Sequence, residues 1–199
     1  MIDIFLNKYR ELLVHRAPTF LKALFLLHAR TNEIGRSPII VETGCARIED
    51  NWAGDGLSTL IWADYVNTFG GKFYSVDIDP KCIEFARSKI VETDQVKLVC
   101  QDSLFFLKHF DNNIDLLYLD SMDFCTTGDP NPPQDHSLRE AQVATPLLTS
   151  RSLILIDDCG LIHGGKGGKV VPYLVNEGVW AIAHYGYQIL LTQYTCGTL

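Results

Sequence analysis

The spacing of apolar residues changes along the chain, and each change marks an element. From Ile2 to about Asn32 the apolar residues recur at helical spacing. Leu12, Leu13, Phe20, Leu21, Leu24 and Leu27 form stripes, and Pro18 divides the segment into two helices. Beyond Pro38 the pattern shortens into compact apolar runs. Residues 39–41, 72–76, 96–99, 114–119 and 152–156 read as strands. Between them, helical patterns cover 58–68, 79–91, 103–109 and 136–148, and another follows at 169–176. Gly70-Gly71 closes the first of these, and Asp79-Pro80 opens the second. Residues 124–135 hold Gly128, three prolines, Asn131 and two aspartates, and read as a loop. Residues 179–183 and 187–192 form a closing strand pair around Tyr185-Gly186.

Strands that are apolar throughout and alternate with helices make a mostly parallel sheet covered on both faces. The last two strands lie too close in sequence for a helical crossover, so one of them runs antiparallel. The expectation is a doubly wound α/β fold with a seven-stranded sheet, one antiparallel strand near the C-terminus, and N-terminal helices. Residues 1–37 form a helical extension and 38–199 the main domain. The extension packs on the sheet, or serves as a lid or as a homodimer surface.

Composition narrows the function. A chain of 199 residues fits one domain. Such a domain buries roughly 70% of its unfolded surface and needs no staple. The net charge of -7 disfavours a broad nucleic-acid footprint, so no nucleic-acid partner is expected. Cys45, Cys82, Cys100, Cys125, Cys159 and Cys196 include no CxxC pair, which fits free thiols in a reducing, cytoplasmic setting. No leader-like apolar stretch or run of about 20 apolar residues occurs, so no membrane association is expected.

Ligands of open α/β sheets bind beyond the carboxyl ends of the strands. Acids stand at five successive strand ends: Glu42, Asp77, Asp102, Asp120 and the pair Asp157-Asp158. Carboxylates gathered at one rim repel each other, so the rim calls for hydroxyls, cationic ligands or a metal. After the first strand, Gly54-Asp55-Gly56-Leu57-Ser58-Thr59 opens a helix, with glycines that let backbone approach a ligand. Ser58 and Thr59 either cap that helix or contact the ligand. Neither a P-loop nor a Gly-x-Gly-x-x-Gly run is present. Asp77 is placed to accept hydrogen bonds from ribose hydroxyls, and Asp79 to cap the next helix. The run from His163 to Lys169, with four glycines and two lysines, is a phosphate-binding loop, a lid or a plain flexible loop.

In order, Val41-Glu42-Thr43-Gly44, Gly54-Asp55-Gly56-Leu57-Ser58-Thr59, Ser75-Val76-Asp77-Ile78-Asp79-Pro80, Cys100-Gln101-Asp102-Ser103 and Leu116-Leu117-Tyr118-Leu119-Asp120-Ser121 resemble the motifs of class I S-adenosylmethionine-dependent methyltransferases. The resemblance covers residues 38–193 and implies a Rossmann-like domain that binds S-adenosylmethionine. It implies that Glu42 and Gly44 flank the methionine part, with Gly56, Ser58 and Asp120 alongside. It implies that Asp77 holds the ribose, that Ile78 lies against the adenine, and that Asp102 and Ser103 lie near its amino group. The segment 45–53 is inserted relative to the family's compact glycine motif, and Arg47 and Trp52 within it either pack or touch a ligand.

Adjacent strand ends can also bring Asp120, Asp157 and Asp158 around one hard cation such as magnesium. The alternative is that Asp158 caps the next segment and Asp120 orders a loop. The arrangement is similar to metal-dependent O-methyltransferases of the catechol, caffeoyl-coenzyme A and macrolide-sugar types. That resemblance implies that these three are metal ligands and that the ion lowers the pKa of an acceptor hydroxyl. It also puts a general base near Asp123, where this chain has no Lys or His. His136 is the first candidate, with Asp120 as the other catalytic residue, and His163 is the second; each is otherwise a cap or an exposed loop residue. The expected activity is methyl transfer to a small-molecule hydroxyl. The alternatives are a metal-independent methyltransferase, for which Asn131-Pro132-Pro133-Gln134 is a misplaced amino-methyltransferase motif, and a non-catalytic nucleoside-binding module.

Overall fold

The computed structural model describes residues 1–193; the Cys196 thiol and the end of the expected 38–199 domain lie outside the described residues. Helix α1 (Ile2–Arg10) leads through a 3-10 turn (Val14–Arg16) into α2 (Ala17–Ile34). Pro18 sits in the first turn of α2, where its missing N–H costs nothing, so the break falls just before it. Then β1 (Ile39–Thr43), α3 (Ser58–Phe69), β2 (Lys72–Asp77), α4 (Pro80–Lys89), β3 (Val96–Cys100), α5 (Ser103–His109) and β4 (Ile114–Leu119) alternate. They are followed by α6 (Asn131–Ala144), β5 (Leu148–Ile156), α7 (Gly167–Asn176), β6 (Trp180–Tyr185) and β7 (Ile189–Gln193).

The sheet order is β3-β2-β1-β4-β5-β7-β6. Strands β1 to β5 pair in parallel, and β7 runs antiparallel to both of its neighbours. This is the Rossmann-like doubly wound sheet expected from the pattern. Strand residues alternate between two cores. Ile40, Leu116, Tyr118, Leu153 and Leu155 face Phe20, Leu24, Trp62 and Tyr65, from α2 and α3. Val41, Leu117, Leu119, Ile154 and Ile156 face Leu107, Ala141, Ala144, Val170 and Leu174, from α5, α6 and α7. Phe5, Leu6 and Tyr9 of α1 join the first core, so the N-terminal helices cover one face of the sheet. No helix of the described residues is long and apolar enough to cross a membrane.

Two element starts differ most from the pattern, and the helix read to 148 ends at Ala144. Helix α6 starts at Asn131, inside the stretch read as a loop. Pro132 and Pro133 fall in its first turn, where proline is tolerated, and Asp129 Oδ1 accepts from the Asn131 backbone N–H at 3.0 Å. Strand β5 starts at Leu148, but a register shift against β4 accompanies polar Thr149, Ser150 and Arg151, which hide its first half.

The strand order reverses at β1, which lies between β2 and β4. Here Gly44 donates to Val76 O at 2.8 Å, Asp120 N to Thr43 O at 3.0 Å, and Asp157 N to Leu119 O at 3.1 Å. The ladder thus continues one residue beyond the strands and sets Asp120 and Asp157 side by side. Gly44 has φ +83, and a Cβ there would overlap the Asp120 carbonyl oxygen. Only glycine allows β1 and β4 to close on each other at this point.

Candidate active site

Glu42 lies beneath the rim, not in it. Its side chain is fully buried. It accepts hydrogen bonds from Ser58 Oγ at 2.5 Å, Thr59 Oγ1 at 2.7 Å and Ser75 Oγ at 2.5 Å. Thr59 Oγ1 also accepts from the Ala46 N–H at 2.8 Å. Glu42 therefore ties β1 to β2, to the start of α3 and, through Thr59, to the inserted loop. Burial pushes its carboxyl up, and the three hydroxyls restrain the rise, leaving it at about 7. Ser58 is committed to this knot. Gly56, at φ +73, packs on the Arg16 side chain, and neither it nor Glu42 nor Ser58 lines a cavity described below.

Two adjoining cavities open at the strand ends. The smaller, about 460 Å³, is lined by Val76, Asp77, Ile78, Asp102, Ser103 and His136. The larger, about 640 Å³, is lined among others by Arg16, Asp55, Asp120, Phe124 and Asp158. Gly44, Arg47, Asp77, Ser121 and Asp123 border both. The Asp77 carboxylate is fixed by the Cys45 N–H at 3.0 Å and the Asp79 N–H at 2.8 Å. Each of its oxygens keeps a lone pair for a ligand hydroxyl. Ile78, 71% exposed, presents an apolar surface to the smaller cavity. Asp102 caps α5 through the Phe105 N–H at 2.8 Å, and Asp79 caps α4 through the Lys81 N–H at 2.9 Å. Arg47 spans the mouth, with Nε 3.1 Å from Asp55 Oδ1 and Nη1 2.9 Å from Asp123 Oδ2. Trp52 packs toward Tyr9, at 6.3 Å between ring centroids.

His136 lines the smaller cavity, apart from Asp120. Its Nε2 lies 3.2 Å from both Ser103 Oγ and Glu140 Oε1, and the bond to Glu140 raises its pKa against the effect of burial. The structure groups it with the expected adenine-side residues. His163 is exposed and lines neither cavity.

Asp120, Asp157 and Asp158 do come together, each offering an oxygen within 4.8 Å of the others. Two cations accompany them. The Lys166 ammonium contacts Asp120 Oδ1 and lies 3.2 Å from Asp158 Oδ2. Arg16 Nε lies 3.1 and 3.0 Å from the two oxygens of Asp157, and its Nη2 lies 2.9 Å from Oδ2. Tyr187 donates to Asp158 Oδ1 at 2.6 Å, and Tyr118 to Asp120 Oδ2 at 3.3 Å. All six carboxylate oxygens thus have a donor. Burial opposes the charge on Lys166, but the carboxylates around it outweigh burial and hold its pKa up. Burial also pushes the Asp120 carboxyl up; the direct contact with Lys166 decides between the two, and the pair is an ammonium carboxylate. Burial acts upward on Asp157 as well, yet Arg16 and Lys166 hold it below the ordinary carboxylate range. A divalent ion does not fit beside these two cations, because the Lys166 ammonium bridges Asp120 and Asp158, Arg16 takes Asp157, and both repel a further positive charge.

Of the three readings of the run from His163 to Lys169, the phosphate loop needs Lys166 and Lys169 turned to a ligand. Instead Lys166 is buried in the acidic rim, and Lys169 pairs with Asp135 at 2.6 Å. Gln134 Nε2 secures the loop by donating to the carbonyls of His163 at 3.0 Å and Gly165 at 2.9 Å. Arg16 and Tyr187 were missed altogether. They lie 141 and 29 residues from their partners, and no local spacing connects them.

A family model described as a methyltransferase domain matches residues 53–159. No curated protein matches the sequence. Among solved structures, the SAH-bound methyltransferase PaMTH1 of Podospora anserina is similar, with TM-score 0.60 and 17% identity, over 87% of this chain and 78% of that one. A protein of Corynebacterium glutamicum gives TM-score 0.60 and 12% identity over 98% of this chain and 92% of its own. The O-methyltransferase NovP gives 0.60 and 9%, over 86% and 79%. At these identities the likeness is one of fold.

Proposed function

Because this chain belongs to the methyltransferase-domain family, with the class I fold, we propose that it moves a methyl group from S-adenosylmethionine to a hydroxyl of a small-molecule acceptor. The observation that carries this is the pair of adjoining cavities at the strand-order reversal, with Asp77 on their shared border. In this reading the nucleoside occupies the smaller cavity. Asp77 accepts from the ribose hydroxyls, Ile78 covers the adenine, and Asp102, Ser103 and His136 border its far edge. The methionine part passes Gly44 toward the larger cavity, where the acceptor enters beside Asp120 and Phe124. That PaMTH1 was solved with SAH, and that NovP is an O-methyltransferase, supports the cofactor and the hydroxyl acceptor.

When bound, the cofactor supplies an electrophilic methyl group on a sulfonium. The acceptor oxygen takes that methyl, the C–S electron pair stays with sulfur, and the hydroxyl proton needs a base. Asp120 is the residue we assign to that proton. Its Oδ2 has only the long contact from Tyr118, at 3.3 Å, and Lys166 holds Oδ1 and so orients the carboxylate. Asp55, Asp120 and Asp158 favour a cationic sulfonium over its neutral product, so the same rim assists release. The magnesium form of this reading would require Lys166 to leave Asp120 and Asp158.

Titration calorimetry with S-adenosylhomocysteine tests the proposal. The wild type is expected to bind, and Asp77→Ala to weaken binding by at least about tenfold with little change in melting temperature. Absence of binding heat at millimolar ligand sinks the reading.

A further inference from the structure

We infer that Lys166 and Arg16 are resident cations standing where a divalent ion would otherwise sit, so that the acidic rim of this chain is charge-compensated without metal. The inference deepens the methyl-transfer reading of the same site and rests on it only for the meaning of the rim.

Three observations support it. The first is occupancy: the Lys166 ammonium bridges Asp120 Oδ1 and Asp158 Oδ2, and Arg16 takes both oxygens of Asp157, so each of the three carboxylates already faces a cation. A hard cation would need these same three carboxylates to turn to it instead. The second is charge: three carboxylates and two cations leave one negative charge, which matches one cationic sulfonium. Lys166 and Arg16 thus already supply the two positive charges that a dication would bring, and a dication beside them would be repelled.

The third is that Lys166 is built in. It is 1% exposed, and its backbone is pressed against the segment that follows β5. Gly165 has φ +52, and a Cβ there would overlap the Asp158 carbonyl oxygen. A Cβ at Gly167 would stand 2.7 Å from Cys159 Sγ, and one at Gly168 would overlap the Gln134 amide. Gln134 holds the carbonyls on either side of Gly164. The glycine-rich run is therefore packed so that the Lys166 backbone cannot shift without unpacking it, which keeps the ammonium's stem beside Asp120 and Asp158. Asp158, in the left-handed region at φ 54, is turned to meet Lys166 and Tyr187 together.

Manganese titration followed by electron paramagnetic resonance tests this, with Mn2+ as the probe. Wild type is expected to show no specific Mn2+ site below about 1 mM. Lys166→Met removes the cation with little change in volume and should create a single Mn2+ site, tighter by at least about tenfold. Adding Asp120→Asn should abolish that site. A folded Lys166→Met protein that gains no site overturns the inference. So does a wild type that binds one Mn2+ at micromolar concentration and loses it in Asp158→Asn, a measurement that stands even where Lys166→Met fails to fold. Calorimetry with S-adenosylhomocysteine on the same wild-type sample reports on the methyl-transfer reading separately, since a lack of binding there leaves the Mn2+ result intact.

Discussion

Glu42 shows what a single residue can and cannot reveal. The sequence marks it as an acid at a strand end. The alternation of β1 then turns it inward, under three hydroxyls that lie 16, 17 and 33 residues away. No local pattern joins those positions, so the reading of Glu42 as a ligand-facing acid had only its place in the motif behind it. Asp77 was more legible, because it leaves the end of its strand and its oxygens are fixed by neighbouring backbone N–H groups. The buried position of Glu42 has a measurable signature. Its carboxyl is raised from 4.5 to about 7, so in the fold it stays protonated while the unfolded chain ionises. Its contribution is therefore fully present below pH 4.5, declines as pH rises toward 7, and is constant beyond. The decline amounts to roughly 3 kcal/mol at most. Glu42→Gln should flatten the pH dependence of stability in that window relative to wild type, as measured by urea denaturation. An unchanged slope would count against the buried carboxyl.

At the scale of elements, the strands and most helices were readable because a sheet covered on both faces needs apolar runs, and these have few other uses. Element starts were harder. Helix α6 opens on two prolines, which look like a loop until their place in the first turn is known. The glycine-rich run before α7 has the composition of a flexible segment, yet it is among the tightest contacts in the molecule, because glycine serves close approach as readily as freedom. That distinction predicts a severe effect from a small change. Gly165→Ala must move either the Asp158 backbone or the start of α7, and should destabilise by on the order of 3–5 kcal/mol. Gly164→Ala, where a Cβ meets nothing within 4 Å, bears only the backbone cost of its φ of +77 and should be milder. Chemical denaturation of the two variants side by side checks the contrast.

For the whole molecule, the fold class and the carboxyl-end rim were evident from strand order and acid positions, while the role of the N-terminal helices was not. An amphipathic pair of helices looks the same whether it is a lid, a partner surface or part of the core. Here Phe5, Leu6, Tyr9 and Phe20 pack with Trp62 and Tyr65 from α3, and the 3-10 turn delivers Arg16 to Asp157. Removing residues 1–16 should therefore uncover core and rim together. The expected outcome is a broadened, less cooperative thermal transition with increased binding of an apolar dye. A sharp wild-type-like transition in the truncated chain would show the helices to be a detachable addition.

The Arg16–Asp157 pair also orders events in time. The segment bearing Arg16 leaves the ribosome 141 residues ahead of its carboxylate, an interval on the order of ten seconds. Until β5 is made, that guanidinium has no Asp157 to meet, and the loop carrying Lys166 follows later still. An unfinished chain thus holds the nucleoside side of the cleft, from Gly44 to Ser103, without the charges that complete its other half. Only a chain made past Tyr187 carries every partner of the three carboxylates.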